Sequence, residues 1–163
     1  MSANNRRPHL LVLPEDDKNR QILVGFRNHD AVNSKQMPVE RIANGWRRAV
    51  ETFLQDHVGQ MRRFPDRHLL IVIDFDQQPQ RRQEIFDQVP GDLRDRVYII
   101  GSLDNPERLI ASKRTNAEKL GRALAEDCTR GTDEHWCHNM LAHNHAELIR
   151  LRTNVRHFLF PGA

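Results

Sequence analysis

Three short apolar runs stand out of an otherwise polar chain, at residues 10–13, 69–73 and 97–100. Each is too short for a helix and is bounded by charged or turn-forming residues, so each reads as a buried strand. The middle run, Leu69-Leu70-Ile71-Val72-Ile73, is the strongest. It has no polar alternation, as expected of a central parallel strand covered on both faces. A fourth, weaker strand is expected at 37–39. Between the runs the apolar positions recur every three or four residues. Ile22, Leu23 and Phe26 share one face of a helix over 18–26, which Asp16 or Asp17 can cap. Trp46, Val50, Phe53, Leu54 and His57 share a face over 43–58. Further helices are expected at 79–88, 106–111, 116–127, 132–143 and 146–155, with Pro79 near the first turn of its helix.

Strand and helix alternate and then only helices follow, which defines an α/β fold: a mostly parallel sheet of about four strands flanked by helices, with a C-terminal helical appendage. The expected division is an α/β domain over 1–112 and a helical extension over 113–163 packed on it. A chain of 163 residues has room for one ordinary domain.

Composition narrows the setting. Mean hydropathy is −0.71 and no apolar stretch approaches the ~18 residues that cross a bilayer, so no membrane span is expected. The start of the chain, 1–8, is polar and carries no secretion signal. Cys128 and Cys137 then fit free thiols in a reducing cytoplasm. Lys and Arg total 25 against 22 Asp and Glu, a net charge of +3. The basic residues are 21 Arg and 4 Lys. Arginine grips phosphate bidentately, so the skew suits a phosphate-rich partner; genomic base composition produces the same skew. The pairs Arg47-Arg48, Arg62-Arg63 and Arg81-Arg82 read either as grips on a phosphate backbone or as solvated helix faces. The sequence leaves self-association open.

The candidate chemistry is acidic. Glu15 follows the first strand, and Asp74 and Asp76 follow the central one. In a parallel α/β sheet these carboxyl ends line one edge, where ligands bind. If the extended backbone persists through Phe75, Asp74 and Asp76 point the same way. Carboxylates gathered there need a cation between them, and hard oxygen ligands suit Mg²⁺ or Mn²⁺. Such an ion supports phosphoryl transfer and activates water. The competing reading makes these residues helix caps and polar strand exits. Asp104 and Glu107 follow the last strand, either as a second metal site or with Asn105 or Asp104 capping a helix and Glu107 as its first-turn acid. Cys128, His135, Cys137, His138, His143 and His145 crowd together, but without the close ligand spacing of structural zinc sites. A helical hairpin with histidines at its turn accounts for them better.

Leu10-Leu11-Val12-Leu13-Pro14-Glu15-Asp16-Asp17 before a helix resembles the first motif of the topoisomerase–primase (Toprim) family. Leu70-Ile71-Val72-Ile73-Asp74-Phe75-Asp76 resembles its second, a strand ending Asp-x-Asp. The resemblance spans about residues 8–112. It implies that Glu15 is the acid/base and metal-proximal carboxylate and that Asp74 and Asp76 hold Mg²⁺ (or Mn²⁺); Asp17 and Glu107, by their places near the same strand ends, are candidate additional ligands. In the nuclease branch of the family a lysine balances transition-state charge, a role Lys113 is placed to take. The implied activity is cleavage of DNA or RNA phosphodiesters by a nuclease or nuclease subunit, in the manner of small bacterial Toprim-like proteins linked to anti-phage defence. The alternative is a non-catalytic subunit docking on a partner such as an ATPase. Two departures stand out: the family's glycine after the glutamate is Asp16, and Pro14 precedes Glu15.

Overall fold

The computed structural model describes residues 5–163, so the first four residues of the polar 1–8 segment lie outside it. Three strands form one parallel sheet: β1 (His9–Pro14), β2 (Arg67–Val72) and β3 (Val97–Ile100), in spatial order β1-β2-β3. Register runs from His9 opposite Arg67 to Pro14 opposite Val72, and from Leu69 opposite Val97 to Val72 opposite Ile100. The expected strand at 37–39 reduces to one parallel bridge between Val12 and Val39 on the outer edge of β1. Val12 N donates to Pro38 O and Glu40 N donates to Val12 O. Pro38 carries no N–H, so the pairing cannot grow into a ladder there.

Strand alternation divides the core into two layers. One face, with Leu11, Leu13, Leu69, Ile71 and Ile99, is covered by α2 (Trp46–Thr52), α3 (Val58–Arg63) and α4 (Arg81–Phe86). The other, with Leu10, Val12, Leu70, Val72 and Ile100, is covered by α1 (Asp17–Arg27), α5 (Pro106–Ser112), α6 (Ala117–Arg130) and α7 (His145–Leu159). Helices on opposite faces before and after the return past β1 are what right-handed crossovers require. The helix expected at 43–58 begins at Trp46, after a turn in which Asn44 and Gly45 take φ of 63° and 136°. It continues through a π-helical turn at Phe53–His57 into α3.

Helix α6 crosses α1 at backbone contact. A Cβ on Gly25 would stand 2.2 Å from Glu118 O, and one on Gly121 would stand 2.0 Å from Ile22 O. Even so, this layer is not filled. A cavity of about 110 Å³ remains between the sheet and α1, α5, α6 and α7. At about 24 cal/mol per Å³, an empty void of that size costs about 2–3 kcal/mol.

The last 50 residues complete the sheet. β3 is an edge strand, and its outward backbone groups are taken by side chains. Ile99 N donates to Glu147 Oε2 (2.8 Å), and Gly101 N donates to Asn144 Oδ1 (3.1 Å). Arg82 Nε donates to Ile99 O (3.0 Å) and Arg150 Nη2 to Val97 O (3.2 Å). Asn144 Nδ2 donates to Gly101 O (2.8 Å), which His143 Nε2 also approaches at 2.8 Å. The edge therefore offers no free ladder to another chain. This disposes of the solvated-face reading of Arg82.

The helix expected at 132–143 is absent. Asp127, 2% exposed at the end of α6, accepts from Thr132 Oγ1 (2.7 Å), His135 N (2.7 Å) and Trp136 N (3.2 Å). These bonds wrap the segment into turns around one carboxylate, and only Ala142–Asn144 forms a 3₁₀ turn. Among the described residues no helix is long and apolar enough to cross a membrane.

Candidate functional site

The chain leaves β1 toward the Val39 bridge on one edge and returns to place β2 on the other. The carboxyl ends of β1 and β2 thus flank the reversal in direction, where open α/β sheets form their ligand crevice. Glu15 and Asp74 stand at these two ends. Glu15 N donates to Val72 O (2.9 Å), and its own carbonyl accepts from Asn44 N (2.7 Å). Its side chain crosses to the neighbouring strand end, where Oε2 accepts from Asp74 N at 2.6 Å. Asp16 caps α1 by accepting from Asn19 N (2.9 Å). Asn19, 3% exposed, directs Nδ2 at Asp74 Oδ1 (3.5 Å).

Burial pushes the Asp74 carboxyl up to about 7, and Asp16, Glu15 and Asp76 add to the rise against the Asn19 hydrogen bond. Glu15 is raised as well, first by burial and then by Asp16 and Asp76, against the Asp74 N–H bond and the Arg81 charge. The site is therefore a half-buried concentration of negative charge.

Asp76 does not follow the strand. It and Gln77 take left-handed φ of 48° and 58°: Phe75 N still pairs with Ser102 O, and the chain turns immediately after it, with Gln78 N donating to Phe75 O. The extended backbone on which a shared direction of Asp74 and Asp76 depends therefore ends at Phe75. The Asp76 carboxylate, 63% exposed, pairs with Arg81 Nη1 at 2.8 Å. Arg81 is 7% exposed, donates from the same nitrogen to Asp74 O (3.0 Å), and lies 4.7 Å from the Trp46 ring centroid. Its Nε is buried without a hydrogen-bond partner. No local sequence pattern groups Asn19, Trp46 and Arg81. In the sequence Arg81 stands as half of an arginine pair, and the nearest signal for Asn19 is its place three residues after the capping Asp16.

The other candidates lie apart in their bonding. Asp17 is exposed in the first turn of α1 and accepts from Gln21 Nε2 (2.6 Å). Asn105 caps α5 by accepting from Glu107 N (2.9 Å), leaving Glu107 an exposed first-turn acid. Asp104 accepts from Arg108 Nη1 (2.8 Å) and Gln77 Nε2 (3.1 Å). Lys113 ends α5 with Nζ 3.2 Å from His135 Nδ1. Among the described residues no hydrogen bond joins Asp17, Glu107 or Lys113 to Glu15 or Asp74.

The cysteine–histidine cluster disperses. Cys128 is buried and Cys137 exposed, both free thiols. His143 packs edge-on against Phe75 at 4.7 Å, and burial with the nearby Arg82 lowers its pKa to about 4. Among the described residues one group of three acidic or histidine ligand atoms lies within 4.8 Å of one another: Asp127, Glu134 and His135. The Asp127 oxygens there already accept three hydrogen bonds, and the Lys113 ammonium sits against His135. Both features oppose a cation. The Glu15, Asp74 and Asp76 oxygens are not drawn together to that degree.

No protein-family model matches the chain, and neither a curated protein nor a solved structure matches it significantly. The Toprim resemblance rests on the two strand-end motifs.

Proposed function

We propose that this protein hydrolyses phosphodiester bonds of nucleic acid with a divalent cation, at the crevice formed by Glu15, Asp16, Asp74 and Asp76. The observation that carries the proposal is the Glu15 carboxylate bridging two strand ends onto Asp74 N at 2.6 Å, which holds two half-buried acids against each other at the reversal point of the sheet. Oxygen-only donors gathered under like-charge repulsion fit Mg²⁺ or Mn²⁺. Asp74 would hold the ion with Asp76, which must first swing away from Arg81. When bound, the ion offsets phosphate charge and lowers the pKa of water. Glu15, raised by burial, is suited to moving a proton. Asn19 orients Asp74. Arg81, stacked on Trp46 and released from Asp76, takes a substrate phosphate in place of Lys113. The exposed Arg47 and Arg48 follow the turn bonded to the Glu15 carbonyl and extend that grip along the backbone. The Toprim resemblance supports the same reading, including a role in bacterial defence.

The test is cleavage of single-stranded DNA, duplex DNA and RNA with Mn²⁺, Mg²⁺ or chelator. Metal-dependent cleavage abolished by Asp74→Ala is the expected result. One observation favours the non-catalytic alternative: Asp76 and Glu15 already have partners, in Arg81 and Asp74 N. No cleavage of any substrate, with partner-ATPase binding unchanged by Asp74→Ala, would establish that alternative instead.

A further inference from the structure

We infer that the cavity between the sheet and α1, α5, α6 and α7 is a preformed binding site for a small neutral apolar molecule, the size of one six-carbon ring. The void of about 110 Å³ has an almost wholly carbon wall, with Leu70 and Ile100 of the sheet on one side and Leu120, Leu124, Leu148 and Val155 of the helices on the other. The polar residues of the lining spend their groups elsewhere: Asn19 turns its amide to Asp74, and Arg152 its guanidinium to Asp133. A buried water needs two or more polar partners, and the lone unpartnered hydroxyl of Ser102 does not supply them. Charged and strongly polar ligands are excluded for the same reason. A dry engineered cavity of about 150 Å³ takes up benzene. This one is smaller, so it admits a single bare ring and no larger one.

Three constraints hold the walls apart and separate this void from a packing gap that closes by relaxation. Helices α1 and α6 meet at backbone contact, Gly25 against Glu118 O and Gly121 against Ile22 O, so the two move only as a pair. Helix α7 is tied to the β3 edge, where Glu147 Oε2 accepts from Ile99 N (2.8 Å) and Arg150 Nη2 donates to Val97 O (3.2 Å). Trp136, which lines the void, is pinned by Nε1 donating to Leu124 O (3.1 Å) and by its amide donating to Asp127 Oδ2 (3.2 Å). Closing the gap would break buried hydrogen bonds, whereas an apolar ligand fills it and breaks none. The ligand supplies the dispersion contacts that the wall atoms lack and leaves water itself. Ile22, Phe26, Arg152 and Arg156 of the lining are only half-buried, which gives a small molecule a short path from solvent.

The inference stands apart from hydrolysis at the acidic crevice, and its test does not involve that activity. The full chain is titrated with benzene, pyrazine and mesitylene, following the thermal midpoint and the NOEs from ligand protons to protein methyl groups. At about ten times its Kd, benzene should raise the midpoint by about 3–6 °C, with NOEs to the methyls of Leu124 and Val155. Pyrazine, a ring of the same size with two nitrogen acceptors to desolvate, should bind at least about tenfold more weakly. Mesitylene, whose added methyls overfill the space, should not bind. Val155→Phe, which places a larger side chain in the void, should abolish the benzene response. Absence of saturable benzene binding, or NOEs only to other parts of the molecule, overturns the proposal. So does pyrazine or mesitylene binding as tightly as benzene, or undiminished benzene binding by folded Val155→Phe. Should Val155→Phe fail to fold, the three ligands and the NOEs decide alone.

Discussion

Asp74→Asn should stabilise the metal-free protein above neutral pH while removing its response to divalent cations. In the folded protein this carboxyl titrates at about 7, against an ordinary aspartate value of 3.8. A folded pKa raised above the unfolded one favours the folded state while the group is protonated. That stability is fully present below pH ~4 and is lost as pH rises through 7. The difference of about three pH units corresponds to about 4 kcal/mol. Water reaches the half-buried group and relieves part of this, so about 2 kcal/mol is expected. Asparagine keeps the shape and accepts the Asn19 amide as before, but cannot ionise. Its unfolding free energy should therefore exceed wild type by about 2 kcal/mol near pH 8, and match it near pH 4. For a chain of this size that is about 4–8 °C in midpoint. The comparison is made by denaturant and thermal unfolding in chelator, at both pH values. Taking variant minus wild type cancels titrations common to both, including those of the buried histidines. Millimolar Mg²⁺ should raise the wild-type midpoint near pH 8 and leave the variant unmoved. A variant no more stable than wild type near pH 8 would refute the argument that burial, reinforced by the neighbouring acids, disfavours the ionised Asp74.

Other outcomes test the scaffold. Asn144→Ala removes the acceptor of Gly101 N and the second donor to Gly101 O, and should cost about 2–4 kcal/mol in chemical denaturation, with increased self-association on light scattering as the β3 edge opens. Gly25→Ala and Gly121→Ala each drive a methyl into helix backbone, so each should cost about 1–3 kcal/mol. Their double variant should cost less than the sum, because both push the same two helices apart. His68 and His143 titrate at about 4 when folded, held down mainly by burial and further by Arg96 and Arg82 respectively. A histidine with a lowered folded pKa contributes stability that is full above the ordinary 6.5 and falls away as pH drops toward 4. NMR of the imidazole rings near pH 5 should find both still neutral, and titration of either near 6.5 would contradict their burial.

What was legible in the sequence was whatever depends on local pattern. Uninterrupted apolar runs located all three strands, and the acids at their ends fell where a parallel sheet gathers them. The capping Asp16 and Asn105 were legible for the same reason, since a cap is decided within four residues. What failed depended on partners far along the chain. The spacing of Trp136, Met140 and Leu141 suits a helix, but nothing in that stretch reveals that Asp127 will claim the Thr132 hydroxyl and two of its amides. At 37–39 the missing N–H of Pro38 stops the strand at a single bridge. Asp74 and Asp76 share one side only where the backbone stays extended, and the left-handed turn at 76–77 answers to partners beyond β3: Gln77 N donates to Leu103 O and its side chain to Asp104.

The arginine pair after the central strand carries the same lesson into function. Arg81 and Arg82 are adjacent on a helix and so point in different directions. Arg81 runs back to the acidic crevice, stacked on Trp46, while Arg82 reaches Ile99 O, His143 O and Asn144 Oδ1 at the edge of β3. Two residues that the sequence presents as one basic patch thus divide the labour of the molecule. One is a buried cation held in the crevice by Asp76, Asp74 O and the Trp46 ring, and under the proposed function it passes from Asp76 to a substrate phosphate. The other is fixed among backbone carbonyls, where a change of partner would open the sheet. Substituting lysine separates them: a lysine at 81 keeps the charge beside Asp76, whereas one at 82 cannot fork to three acceptors. Arg82→Lys should therefore lower stability by about 1–3 kcal/mol, and Arg81→Lys should leave stability nearly unchanged while weakening nucleic-acid binding. Equal effects of the two on unfolding would mean that the crevice arginine is as structural as its neighbour, and the acidic site would lose its mobile cation.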